Sequence, residues 1–139
     1  MWRFSFALGI CAGAIVAASG CSRPNAKNAP ESPQNLRAIF DAYSEATKQL
    51  KRPPANLDEL TPHLKDVGEI DKVLRSPDDG QKYVILWGAE PHASQAEVLA
   101  YEKIGKNGRR YVLRGHVVFW HSDEEFKMVH FPAGHAAPF

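Results

Sequence analysis

The sequence predicts an α+β domain in which a long amino-terminal amphipathic helix packs on an antiparallel sheet of three or four strands. Three observations carry this prediction. Apolar side chains recur at helical spacing between residues 33 and 50, short strand-like runs fill the chain after residue 81, and Asn107-Gly108 separates two of those runs. Helix early and hairpin late exclude the regular strand-helix alternation that a parallel sheet requires.

The helix is read in "SPQNLRAIFDAYSEATKQLKRPP". Ser32 is placed as its N-cap and Pro33 at the first helical position, where a missing N–H costs nothing. Leu36, Ile39, Phe40, Tyr43 and Leu50, with Ala46 and Thr47, share one face over about five turns, and Pro53-Pro54 stops the helix. "ANLDELTPHLKDVGEIDKVLRSP" then holds two or three short helical turns. Asn56 caps the first with Glu59 reaching back, Thr61 caps another before Pro62, and Leu57, Leu60 and Leu64 anchor the segment. Ile70, Val73 and Leu74 share a face before the turn "SPDDG".

The remainder reads as β. "QKYVILWG" is nearly continuously apolar and is expected at the centre of the sheet. "EVLAYEKIGKNGRRYVLRGHVVFW" contains two strands around Asn107-Gly108, the strongest short hairpin signal. Read as one strand, the second run puts Tyr111, Leu113, Val117 and Phe119 on one face. Val112, Arg114, His116, Val118 and Trp120 then lie on the other. Ser122 and Glu125 form a capping box for a short helix with Phe126 as its apolar contact, and "FPAGHAAPF" is an uncharged loop.

The amino-terminal stretch says where the protein resides. "MWRFSFALGICAGAIVAASG" sets Arg3 before about 15 mostly apolar residues, the layout of a secretory leader and too short for a membrane span of roughly 20. Ala18, Ser19 and Gly20 then precede Cys21, and this resembles the lipobox of bacterial lipoproteins. The resemblance implies that residues 1–20 are cleaved and that Cys21 carries a diacylglycerol and commonly an acylated amine. It also implies a cell-envelope location, with the outer membrane favoured in a two-membrane cell because Ser22, not Asp, follows the cysteine. Two acyl chains suffice for stable anchoring without crossing the bilayer. "SRPNAKNAPE" is polar and proline-bearing, so residues 21–31 read as lipidated cysteine and tether, and residues 32–139 as one domain.

Composition narrows the partners. Of 17 basic residues the leader removes Arg3, and of 16 acidic residues none, so the mature chain is formally neutral. No basic field exists for nucleic acid or for anionic head groups, and partners are recognised by shape. Cys11 leaves with the leader and Cys21 is taken by lipid, so no disulfide is expected and a hydrophobic core supplies stability.

A second resemblance runs through residues 34–88. The order of long helix, turns led by "PPANLDEL", "SPDDG" and the strand "QKYVILWG" resembles the globular part of the type II secretion major pseudopilin. Tyr43, Pro54, Leu57, Leu60, Pro77, Gly80 and Tyr83 are the points of contact. The resemblance implies the fold class and a role in an envelope assembly. A lipobox and polar tether replace the pseudopilin's long apolar helix, so pilus-like polymerisation is not expected, and no calcium ligand carries over.

No catalytic constellation is present. His116, His121, His130 and His135 lie within 20 residues of one another and are the basis of an alternative reading as a metal-dependent envelope hydrolase. Their spacing disfavours it: five residues put His116 and His121 on opposite faces of a strand and roughly 140° apart on a helix. Asp123-Glu124-Glu125 follows a capping serine, where acids favour the helix dipole. No serine lies in a Gly-x-Ser-x-Gly elbow, and Gly105 and Gly108 fit a hairpin. The candidate binding face is Arg114, His116 and Trp120, which mixes apolar area with polar handles. The sequence thus points to a non-enzymatic, lipid-anchored binding or assembly module, with no cofactor beyond the lipid and an envelope protein as partner.

Overall fold

The computed structural model describes residues 30–92 and 97–138. The leader, Cys21 and residues 22–29 of the tether lie outside the described residues, as does Phe139. The chain runs α1 (Glu31–Leu50), α2 (Leu57–Leu64), a 3₁₀ turn (Lys65–Val67), α3 (Ile70–Val73), β1 (Val84–Ile85), β2 (Val98–Tyr101), β3 (Arg109–Arg114), β4 (Val117–Ser122) and α4 (Asp123–Lys127). The four strands form one antiparallel sheet in sequence order. This is the α+β architecture the sequence predicts.

In α1, Leu36, Ile39, Tyr43 and Ala46 are completely buried, at helical spacing. Burying a side chain the size of Leu36 contributes about 1.5–3 kcal/mol. The helix ends with Lys51 in the left-handed conformation, three residues before the buried Pro54. Leu50, assigned to the apolar face, is exposed together with Lys48 and Gln49 in the last turn of the helix. The predicted cap also differs: Pro30 holds the N-cap position, and Ser32 lies inside the first turn with its hydroxyl turned inward.

Asn56 caps α2 through the Glu59 N–H, and Glu59 reaches back to the Ala55 N–H while pairing with Arg52. Thr61 caps nothing. Its hydroxyl donates to the Leu57 carbonyl, and Pro62 continues the same helix while giving up the one ladder bond its missing N–H would have made to the Asp58 carbonyl.

Two strand expectations are overturned. The "QKYVILWG" run yields only two paired residues at the edge of the sheet, where central placement was expected. Its apolarity comes from helices: Tyr83 reaches the first turn of α1 through Ser32, and Leu86 receives a hydrogen bond from the Tyr43 hydroxyl. The run read as one strand from Tyr111 to Trp120 is a second hairpin, with Arg114 facing Val117 across Gly115-His116. Gly115 takes a φ of 54°, which supplies the first position of a tight two-residue turn.

The Asn107-Gly108 turn forms as predicted, with φ of 55° and 69° at its two residues. Tyr101 points to the opposite sheet face from Glu102, where it meets Phe126 of α4 and Phe131 with ring centroids 4.9 and 6.0 Å away. Arg110 clamps this layer, lying 4.4 Å over the Phe126 ring and donating to Asp123 at 2.7 Å. Ser122 and Glu125 complete the predicted capping box.

Gly105, with φ of 77°, has the backbone oxygen of Arg109 only 2.1 Å from where a Cβ would stand. Gly105→Ala is therefore expected to destabilise the domain by about 3 kcal/mol, and Gly108→Ala, which meets nothing closer than 3.8 Å, by about 1 kcal/mol. Urea unfolding of both variants checks the order, and equal losses would count against this turn geometry.

Candidate functional site

The most concentrated polar chemistry is buried. Tyr101 ends β2 and Glu102 follows it, still paired through its N–H to the Tyr111 carbonyl. Alternation turns Glu102 towards α1, and its side chain is completely buried. Oε1 accepts from the Ser32 hydroxyl at 2.5 Å and the Ser76 hydroxyl at 2.6 Å, and Oε2 accepts from the Tyr111 N–H at 2.8 Å. Tyr83 donates to Ser32 at 3.1 Å, and the Asp78 N–H donates to Ser76 at 3.0 Å. Each hydroxyl passes its proton inward and accepts from outside, so both carboxyl oxygens are satisfied. Placement against the first turn of α1 adds a favourable helix dipole.

Around it the "SPDDG" turn is fixed by Asp79, which accepts from the Gln81, Ile104 and Gly105 N–H groups at 2.8 Å. Burial alone would raise the Asp79 carboxyl, but the Gly105, Gln81 and Ile104 amides outweigh it and hold it below the usual carboxylate range. Burial pushes the Tyr83 hydroxyl up to about 12 despite its bonds to Ser32 and Asn35. This cluster is a structural lock, since Glu102 meets no solvent.

The surface chemistry lies on the β3–β4 hairpin. Because Gly115-His116 is a turn, the faces re-sort: Tyr111 pairs with Trp120 and Leu113 with Val118, while Val112 pairs with Phe119 and Arg114 with Val117. Arg114 and Trp120 therefore lie on opposite faces, and His116 sits in the turn. The candidate face of Arg114, His116 and Trp120 does not exist as one surface, because the inserted turn reverses the alternation after residue 114. Two smaller groups replace it. On the face away from α1, the Arg114 guanidinium lies 5.0 Å over Phe119, whose ring stacks on His121 at 5.6 Å. On the α1 side, Trp120 lies 4.2 Å from Tyr111 with the Arg109 guanidinium 5.8 Å above it.

The late histidines separate. His116 lies 6.4 Å from Phe40 of α1, His121 is on β4, His130 forms a backbone bridge with Glu97, and His135 bonds the Trp87 carbonyl at 3.1 Å. Among the described residues no group of three or more His, Cys, Asp or Glu side chains is placed to hold a metal. A polar cleft of about 400 Å³ opens between α1 and α3, lined by Glu31, Asn35, Lys72 and Arg75. An apolar hollow of about 240 Å³ lies between α2 and β1, lined by Leu57, Leu74, Ile85 and Trp87. No helix among the described residues is long and apolar enough to cross a membrane.

Sequence reasoning missed Glu102, Ser76 and the inward role of Ser32. A glutamate following the buried run of Val98 to Tyr101 was the available signal. Its partners, 26 and 70 residues away, carried none. No protein-family model, curated protein or solved structure matches the chain.

Ser32→Ala and Ser76→Ala are each expected to lower stability by about 1–3 kcal/mol, because each leaves Oε1 one donor short. The double variant should depart from additivity by about 0.5 kcal/mol or more in urea unfolding, and strictly additive losses would contradict a shared acceptor. A separate pH effect belongs to His121, whose Nε2 is buried without a hydrogen-bond partner among the described residues. Burial, then the Arg114 charge, lowers its basicity from 6.5. The unfolded chain therefore takes up the proton first, so this contribution is complete above about pH 6.5 and declines as pH falls below it. His121→Phe should flatten that part of the Tm–pH curve, and an unchanged slope would refute the assignment.

Proposed function

We propose that this chain is a bacterial envelope lipoprotein whose single α+β domain acts as a non-enzymatic binding or assembly module. The observation that carries the reading is the succession of apolar leader, small residues, Cys21 and a polar tether, after which α1 begins at Glu31. Nine residues (22–30) lie between Cys21 and that helix, ten Cα steps in all, about 17 Å if coiled and about 33 Å if extended. A folded domain is thus held close to the bilayer by lipid alone.

The binding surface in this reading is the hairpin face away from α1. Phe119 there is half-buried between Arg114 and His121, and β4 is a sheet edge whose residues are all partly or fully exposed. Planar aromatic and arginine groups held rigidly on a strand suit a protein partner. The succession of long helix, short helical turns, "SPDDG" turn and antiparallel strands supports a pseudopilin-like assembly role.

Cys21→Ala is expected to abolish incorporation of labelled fatty acid and to leave the leader uncleaved at this site. Normal labelling of the variant would refute the anchor. A photo-crosslinking residue at Phe119 should trap one reproducible envelope protein in cells of the source organism, whereas crosslinks from Glu45 on the outer side of α1 should not. Equal capture from both positions would remove the hairpin face from the reading.

A further inference from the structure

We infer that the Trp120–Tyr111–Arg109 group is a membrane-docking surface that lays the entry end of the domain on the phospholipid interface. The inference rests on the lipid anchor at Cys21 proposed above. Its geometric basis is a short path through the buried lock. Ser32, the second residue of α1, bonds Glu102, and Glu102 bonds the Tyr111 N–H. The Tyr111 ring lies 4.2 Å from Trp120. The aromatic pair therefore stands at the end of the domain where the tether enters.

A domain of this size is roughly 30 Å across, whereas ten Cα steps from Cys21 reach at most about 33 Å and about 17 Å if coiled, so the entry end is the part held nearest the bilayer. That end also carries the exposed apolar surface a lipid interface accepts. Trp120 is 37% exposed and Ile104, in the loop between β2 and β3, is 60% exposed. Ile104 is fixed at this end because its N–H and that of Gly105 bond Asp79.

The chemistry favours head groups approached through aromatic rings over a cationic field. Arg109 has the Glu125 carboxylate 3.9 Å away, and Lys106 has Asp78 at the same distance, so these charges are offset locally. Trp and Tyr settle at head-group depth because their rings are apolar with a polar tip. Arg109, stacked over Trp120 and donating to its carbonyl at 3.1 Å, holds the ring in place. Trp87 provides an internal reference. It packs 6.3 Å from Tyr43, eleven residues along α1 from Ser32, which is about 16 Å of helix.

The test uses the full chain produced and processed in a bacterium, purified, and reconstituted in phosphatidylcholine vesicles with plain or brominated acyl chains. Mass spectrometry of the same sample reports whether Cys21 carries lipid. In the Trp87→Phe chain, Trp120 fluorescence should fall about twofold in brominated vesicles. In the Trp120→Phe chain, Trp87 emission should stay constant, and the unsubstituted chain should lose an intermediate share. Lipid on Cys21 with unquenched Trp120, or with quenching of Trp87 instead, would overturn the docking surface and leave the anchor standing. Absence of lipid on Cys21 would overturn the anchor, and the docking surface with it.

Discussion

The Glu102 carboxyl is the constraint around which the domain is assembled. A carboxyl group withdrawn completely from water is costly unless its oxygens are bonded, and here three donors and the tyrosine behind one of them come from four separate parts of the chain. Ser32 brings the first turn of α1, Ser76 brings the turn after α3, Tyr83 reaches Ser32 from just before β1, and Tyr111 brings β3. None of these segments can shift without orphaning a buried acceptor or hydroxyl. The network therefore fixes where the long helix meets the sheet, a choice that apolar packing alone leaves loose because Leu, Ile and Ala tolerate sliding.

From that fixed point the rest follows by alternation. Glu102 faces α1, so Tyr101 faces away and must be covered by something else. Phe126 and Phe131 supply the cover, and Arg110 joins it by lying over Phe126 and bonding Asp123. The chain thus builds two apolar layers on one small sheet. The first is closed by a helix of five turns, and the second by a helix of barely more than one.

The same geometry divides the surface into two chemically distinct regions. The Tyr111–Trp120 pair stands beside the entry of the tether, while the Arg114–Phe119–His121 stack looks out from the other face. In the proposed reading of a lipid-anchored domain, the first region settles against the bilayer and the second remains available to a protein. Rigid attachment to the Glu102 lock, by way of Tyr111, is what would keep the two from exchanging roles.

The sequence by itself determined the fold class, the amphipathic face of α1, the Asn56 and Ser122 caps and the Asn107-Gly108 turn. Each of these depends on residues within a few positions of one another, where spacing and turn chemistry act directly. Tertiary structure alone decided that Ser32 serves Glu102 and caps nothing, since that preference depends on a partner 70 residues away. It also decided that the apolar "YVILW" run lies at a sheet edge beneath helices, because burial by a helix and burial by a neighbouring strand leave the same composition. The Gly115 turn lay between these cases. Its glycine was visible, but only the pairing of Arg114 with Val117 showed that the chain reverses there, sending Arg114 and Trp120 to opposite faces. Local chemistry proposes each turn, and the long-range register selects which of them the chain uses.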